Sequence, residues 1–251
     1  MSKNVWITGA SSGIGKALAI KFAREGWQVA ASARRENLLR ELNKENSNIH
    51  PFPLNVTNLE NTKNVFENIL KIKDGVDLCI FGAAVYDPNY EKEINEKKIR
   101  EIMETNFFGV VNCIKTVEKY FKDKKKGHIS IISSVAGYRG LPKSEGYGAS
   151  KAALNNFVES LYLDFKNNNV RLTLISPGFI KTPMTDKNKF RMPFIRSAEF
   201  AANKIYKGII HKNSFEISFP KQLTLMLKFF RILPYKIYFF LIEKLTKNTK
   251  R

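Results

Sequence analysis

The chain has 251 residues, 42 of them Lys or Arg and 23 Asp or Glu, a formal net charge of +19. Its 43% hydrophobic and 26% charged residues are an ordinary globular balance, which excludes disordered and low-complexity classes and leaves one domain, or at most two small ones. Only two cysteines occur, Cys79 and Cys113, each inside an apolar segment, which excludes a disulfide scaffold or a Cys-rich zinc module and fits a reducing compartment. The charge excess points to a polyanionic partner (nucleic acid, an anionic membrane surface or a phosphate-rich ligand), with general lysine enrichment as the plain alternative.

Residues 1–7 run directly into an apolar strand with no leader pattern ahead of them, an expectation of a cytoplasmic chain. Residues 5–8 read as a strand, 15–25 as a helix, 28–33 as a second strand and 36–45 as a second helix. An extended stretch at 50–54 and a helix through Val65, Phe66, Ile69 and Leu70 follow. Residues 77–81 form an apolar run typical of a strand buried on both faces. Two helices fill 94–121, a charged turn 122–127, and a fifth strand 128–133. A helix over 147–165, a sixth strand over 170–175 and an alternating strand over 215–219 complete the pattern. Strands separated by helical segments mean repeated βαβ units. The fold class is therefore α/β, a doubly wound parallel sheet in one domain over 1–220, with a helical extension over 221–251.

The first strand ends in Thr8-Gly9-Ala10-Ser11-Ser12-Gly13-Ile14-Gly15 and opens a helix. Glycines there permit a tight turn and a close approach of a pyrophosphate, which the helix N-terminus can bind through unpaired N–H groups. The second strand would end in an acid if the bound ribose kept a free 2′-hydroxyl. Ala33 stands there instead, followed by Arg34 and Arg35, whose guanidinium groups can pair with a 2′-phosphate; Arg34 is the first choice and Arg35 the second. Farther on, Tyr147 and Lys151 open a helix at i, i+4 spacing, on one face. A lysine cation beside a tyrosine favours the phenolate and lowers its pKa toward working pH. Ser133 and Ser134 end the fifth strand, on the side where strand ends form a ligand crevice.

With these residues the chain resembles the short-chain dehydrogenase/reductase family over roughly residues 3–220. The resemblance implies a Rossmann fold. It selects Ser134 over Ser133, thirteen residues before the tyrosine, and places a catalytic asparagine at Asn106. Tyr147 would then protonate a substrate carbonyl oxygen that Ser134 also binds. Lys151 would hold the nicotinamide ribose and tune Tyr147, and Asn106 would hold a water linking Lys151 to solvent. Pro177, Gly178, Ile180 and Thr182 look like the family's segment for the nicotinamide carboxamide. The dinucleotide would further meet Thr8, Gly9, Ser11, Ser12, Gly13, Ile14 and Gly15, and beyond them Val56 and Ala83. Two positions depart from the family pattern. An Asn-rich turn is replaced by Phe81-Gly82-Ala83-Ala84, and an aspartate that reads the adenine amino group is Asn55, whose amide oxygen can accept the same bond.

The three histidines, His50, His128 and His211, are isolated from other ligand types, so no metal site is expected, and no nucleic-acid-binding signature occurs. The extension reads as two short helices broken at Pro234, with Thr224, Lys228 and Arg231 as a polar stripe on an apolar cylinder. Its eight basic residues stand against one acid, Glu243, and the basic residues interrupt any spanning stretch. A helix in the membrane interface fits this composition, as does a lid or a dimer or tetramer contact. The expected activity is NADP(H)-dependent hydride transfer between nicotinamide and a carbonyl or secondary alcohol. The extension, with Phe179, Met184 and Phe194 near the crevice, favours a hydrophobic or lipid-like substrate, on a cytoplasmic protein peripheral to the inner membrane face. A soluble reductase of small polar carbonyls and a cofactor-sensing protein without turnover are the alternatives. Loops at 85–95 and 183–195 would set the substrate.

Overall fold

In a computed structural model, which describes residues 3–72, 75–88 and 93–246, strands and helices alternate from the first strand on. They are β1 (Asn4–Thr8), α1 (Gly13–Arg24), β2 (Gln28–Ala33), α2 (Glu36–Glu45), β3 (Ile49–Pro53), α3 (Leu59–Ile72), β4 (Leu78–Phe81) and α4 (Glu96–Met103). A single π turn (Glu104–Phe108) joins α4 to α5 (Gly109–Lys124), followed by β5 (Gly127–Ile132), α6 (Glu145–Asn167) and β6 (Val170–Pro177). The short pair β7 (Ile180–Lys181) and β8 (Arg196–Ser197) precedes α7 (Ala198–His211), β9 (Glu216–Phe219), α8 (Lys221–Ile232) and α9 (Tyr235–Thr246).

Seven strands make one sheet in the order β3-β2-β1-β4-β5-β6-β9, every pair parallel. Because helices cover both faces, β1 and β4 are buried at every position. Alternate residues feed two cores. Val5 and Ile7 pack with Leu18 and Phe22 of α1 on one face, and Trp6 packs with Phe66 and Phe81 on the other. The Trp6 indole stacks on Phe66 at 5.4 Å, and its N–H donates to the Ser32 hydroxyl at 2.9 Å, so its one polar atom is satisfied inside the core. The chain turns to opposite sides of the sheet after β1 and after β4, which opens a crevice at their C-terminal ends.

Two stretches differ from the sequence reading. No element is assigned from sequence to 198–211, yet Ser197 caps α7 by accepting the Phe200 N–H at 3.1 Å, and Tyr206 of α7 meets Phe22 of α1 at 5.0 Å. The charged turn is also shorter than 122–127. Lys122 stays helical, paired with Glu118 at 2.6 Å and with Asp164 of α6 at 2.5 Å, and the chain turns at Lys125 with φ +47°.

The extension does break at Pro234, and α8 and α9 fold back over the loop that follows β5. Leu223, Leu227 and Phe230 of α8, with Tyr238 and Ile242 of α9, form a third cluster with Val135 and Tyr138. Thr224 belongs to this buried side and not to a solvent stripe; its hydroxyl donates to the Lys221 carbonyl at 3.2 Å. Lys228 is exposed and pairs with Glu216 of β9, which also accepts the Tyr138 hydroxyl. Arg139 latches the hairpin. Its guanidinium donates to the carbonyls of Phe230, Arg231 and Leu233 at the C-terminal end of α8, and lies 3.9 Å from the Tyr238 ring centroid. That is where a helix leaves its carbonyls unpaired and a cation is favoured. Among the described residues no helix is long and apolar enough to cross a membrane.

Hydrogen bonds from a charged donor are each worth roughly 1.5–3 kcal/mol. Arg139→Ala should therefore raise amide hydrogen exchange in 223–245 by about tenfold or more while exchange in β1, β4 and β5 stays slow. Unchanged exchange in the hairpin would refute the latch.

Candidate active site

The crevice is a cleft of about 560 Å³ floored by the turn after β1. Gly9 adopts φ +76°, and a Cβ on it would lie 2.7 Å from the Gly82 carbonyl oxygen. A Cβ on Gly15 would run into the Gly9 backbone, so the turn must carry glycine at both places to close against β4 and start α1. Ser11, Ser12, Gly13 and Ile14 line the cleft beside them. Thr8 does not. It is 1% exposed, and its hydroxyl accepts the Gly82 N–H at 3.1 Å, so it laces β1 to the end of β4 instead of facing a ligand.

Arg34 and Arg35 both line the far end. Arg35 is the anchored one. Its Nη2 donates to the hydroxyls of Ser11 and Ser12, each at 2.9 Å, which holds the guanidinium against the glycine turn. Asn55 and Val56 form another wall. The Asn55 side-chain oxygen already accepts from the Thr57 N–H at 3.3 Å and the Thr57 hydroxyl at 3.0 Å. Both its lone pairs are engaged, so an adenine amino group would have to displace Thr57. Ala83, Pro177, Gly178, Ile180 and Thr182 complete the lining where sequence placed them. A backbone-lined, glycine-floored cleft with two cations at one end suits a dinucleotide.

At the other end stand the catalytic candidates. Ser133 turns away into α6, donating to Asn155 Oδ1 at 2.6 Å and to the Lys151 carbonyl at 3.3 Å. Ser134 faces the cleft, in hydrogen-bonding contact with the Tyr147 phenol, while its Oγ accepts the Ala136 N–H at 3.1 Å. Lys151 sits one turn after Tyr147 with its Nζ on the Ile132 carbonyl at 2.9 Å and 5.6 Å from the Tyr147 ring centroid. Burial pulls the Lys151 amine down to about 7. It also pushes the Tyr147 phenol up to about 12, and the Ser134 hydroxyl opposes this only in part. A lysine-depressed phenol is the expectation from the spacing; burial acts in the opposite direction on the phenol and lowers the amine beside it.

Asn106 occupies the π turn, fully buried. Its Oδ1 accepts the Val85 N–H at 2.7 Å, and its Nδ2 donates to the Val85 carbonyl at 3.0 Å and to Ser150 Oγ at 3.1 Å. The amide is thus spent on bracing the loop after β4 against α6. That makes Asn106 a positioning residue for this loop.

A second cavity of about 600 Å³ adjoins the cleft, sharing Ser134 and Tyr147 as its wall. Phe179 and Met184 line it, whereas Phe194 does not and is largely exposed. Its outer wall is the extension, through Leu223, Leu227 and Phe230. Sequence reasoning missed Tyr86, whose ring stands edge-on to Tyr147 at 5.0 Å and whose hydroxyl donates to Asn188 at 2.6 Å. A tyrosine in an irregular loop carries no periodic signal. Of the loop expected at 85–95, residues 89–92 lie outside the described residues. Among the described residues no group of three or more His, Cys, Asp or Glu side chains could hold a metal.

A model of the short chain dehydrogenase family matches residues 3–192. An uncharacterized oxidoreductase of Myxococcus xanthus is 35% identical over 236 residues, which cover 92% of this chain and 93% of that one. Among solved structures, ElxO with NADP bound is similar with a TM-score of 0.78 and 26% identity, over 87% of this chain and 98% of that one. A short chain dehydrogenase/reductase from Burkholderia phymatum in complex with NAD, at 22% identity, shares the fold with a TM-score of 0.82 over 90% and 92%.

Proposed function

The chain belongs to the short-chain dehydrogenase family of oxidoreductases, and from that premise we propose that it reduces the carbonyl group of an apolar compound with NADPH, or oxidises the matching secondary alcohol with NADP⁺. One observation carries the reading: Ser134 and Tyr147 line the dinucleotide cleft and the second cavity at once, so a reactant in either meets the same two side chains.

A nicotinamide held in the cleft would supply the hydride to the carbonyl carbon, or accept it in the reverse direction. The protein handles the other half of the reaction. Tyr147, which keeps its proton through the neutral range, gives it to the carbonyl oxygen as negative charge develops there. Ser134 donates a hydrogen bond to the same oxygen and fixes its position. Lys151, losing its proton near neutrality, is the adjacent donor from which the phenolate recovers its own. Tyr86 and Asn106 hold the surrounding loop in place.

The choice of NADP(H) rests on the arginines. With Ala33 in place of an acid and Arg35 held on Ser11 and Ser12, the far end of the cleft offers a planar cation to a 2′-phosphate. The substrate class rests on the second cavity, whose walls include Phe179, Leu223, Leu227 and Phe230, with Ser134 and Tyr147 where it meets the cleft.

Tyr147→Phe should lower carbonyl reduction by roughly 10²–10⁴, the usual share of a general acid, while NADPH still binds, as followed by its fluorescence. Undiminished turnover would refute the proton-donor role. Arg35→Ala should raise the KM for NADPH by about 10- to 100-fold, a loss of roughly 1.5–3 kcal/mol, and leave that for NADH nearly unchanged. Equal losses with both cofactors would overturn the 2′-phosphate reading.

A further inference from the structure

The α8–α9 hairpin is apolar on two sides, and the molecule uses only one. Inward, Leu223, Leu227 and Phe230 wall the second cavity. Outward, Leu225, Phe229 and Ile232 follow i, i+4, i+7 spacing on α8, and Tyr235, Phe239 and Phe240 extend the face on α9. Ile232 is 77% exposed and Tyr235 72%. Eight of the thirteen large hydrophobic side chains that the described residues expose lie within 225–245, so the exposed apolar surface is concentrated on this hairpin.

The charges around it choose the occupant. Lys221, Arg231, Lys236 and Lys244 are all exposed on the hairpin, against the single acid Glu243. A second copy docking through this face would set like cations against each other across a two-fold axis. A lipid surface with anionic headgroups takes both features together, rings at headgroup depth and cations against phosphate or carboxylate. The second cavity also opens at this edge. Leu245, at the end of α9, lines it and is itself largely exposed, and the exposed cations Lys189 and Arg191 stand on its rim.

We propose that the outer face of α8–α9 docks on an anionic lipid surface, and that the cavity beneath it receives there the apolar chain of a membrane-borne carbonyl compound. The substrate half rests on the reductase reading above; the docking half stands without it.

The test uses the full chain and vesicles of phosphatidylcholine with or without phosphatidylserine. The parent should sediment with the phosphatidylserine vesicles and little with phosphatidylcholine alone. Phe229→Glu with Phe239→Glu, neither of which lines the cavity, should weaken vesicle binding about tenfold or more, as should Arg231→Glu with Lys236→Glu. Both pairs should keep NADPH binding and the reduction of a water-soluble ketone, yet lose most of their reduction of a long-chain ketone dissolved in the vesicles. No sedimentation with anionic vesicles, or equal sedimentation of parent and both variants, would overturn the docking. Dissociation of a dimer by these substitutions, without vesicle binding, would assign the face to a second copy and overturn it too. Vesicle binding with no NADPH oxidation on any ketone would leave the docking supported and remove the reductase reading.

Discussion

Lys151 keeps its amine inside the protein, 2% exposed, on the carbonyl of Ile132 at 2.9 Å. Burying an ammonium is costly unless it is hydrogen-bonded, and the remaining cost appears as a pKa near 7 instead of one in the usual lysine range. The position of this one group orders the site. Ile132 is the last residue of β5, so the amine is pinned at the strand end, and Ser133 ties the same end to α6 through Asn155 and the Lys151 carbonyl. With α6 fixed at its second turn, Tyr147 in the first turn can only stand over the crevice, and Ser134, two residues beyond Ile132, meets it there. The sheet thus determines the spacing of Lys151, Tyr147 and Ser134, which come from two separate elements.

A second coupling runs outward from the same strand end. The loop after Ser134 carries Tyr138 and Arg139; one reaches Glu216 of β9, and the other holds the carbonyls that end α8. The hairpin that walls the second cavity is therefore fastened to the loop that presents Ser134. An apolar chain filling the cavity would touch both. The opening charge excess also acquires places: two arginines at the cleft and a basic, apolar hairpin, with other lysines spent on helix-surface pairs such as Lys122 with Glu118 and Asp164.

What could be read from the sequence was what is local along the chain. The glycine turn between a strand and a helix, the i, i+4 pair of Tyr147 and Lys151, and the break at Pro234 are short-range patterns, and the structure contains each of them. What escaped depends on groups far apart in sequence. Thr8 looks like a ligand residue until Gly82 arrives to claim its hydroxyl, and the bonds from the Asn106 amide to Val85 and Ser150 leave no local signal. Arg139 had no motif at all, since its partners lie more than ninety residues away. Spacing likewise reveals the lysine beside the Tyr147 phenol but not the burial that acts on both groups. The Asn55 oxygen meets Thr57 two residues on, a local contact that no motif states.

The most direct test of the account is the titration of Lys151 itself in the full chain. With lysine ε-carbons labelled for NMR, the resonance missing from a Lys151→Met variant identifies the group. Its midpoint should fall near 7 in the parent chain, as burial against Ile132 requires. A midpoint near the ordinary lysine value of about 10.4 would contradict the buried amine and, with it, the proton supply assigned to this site.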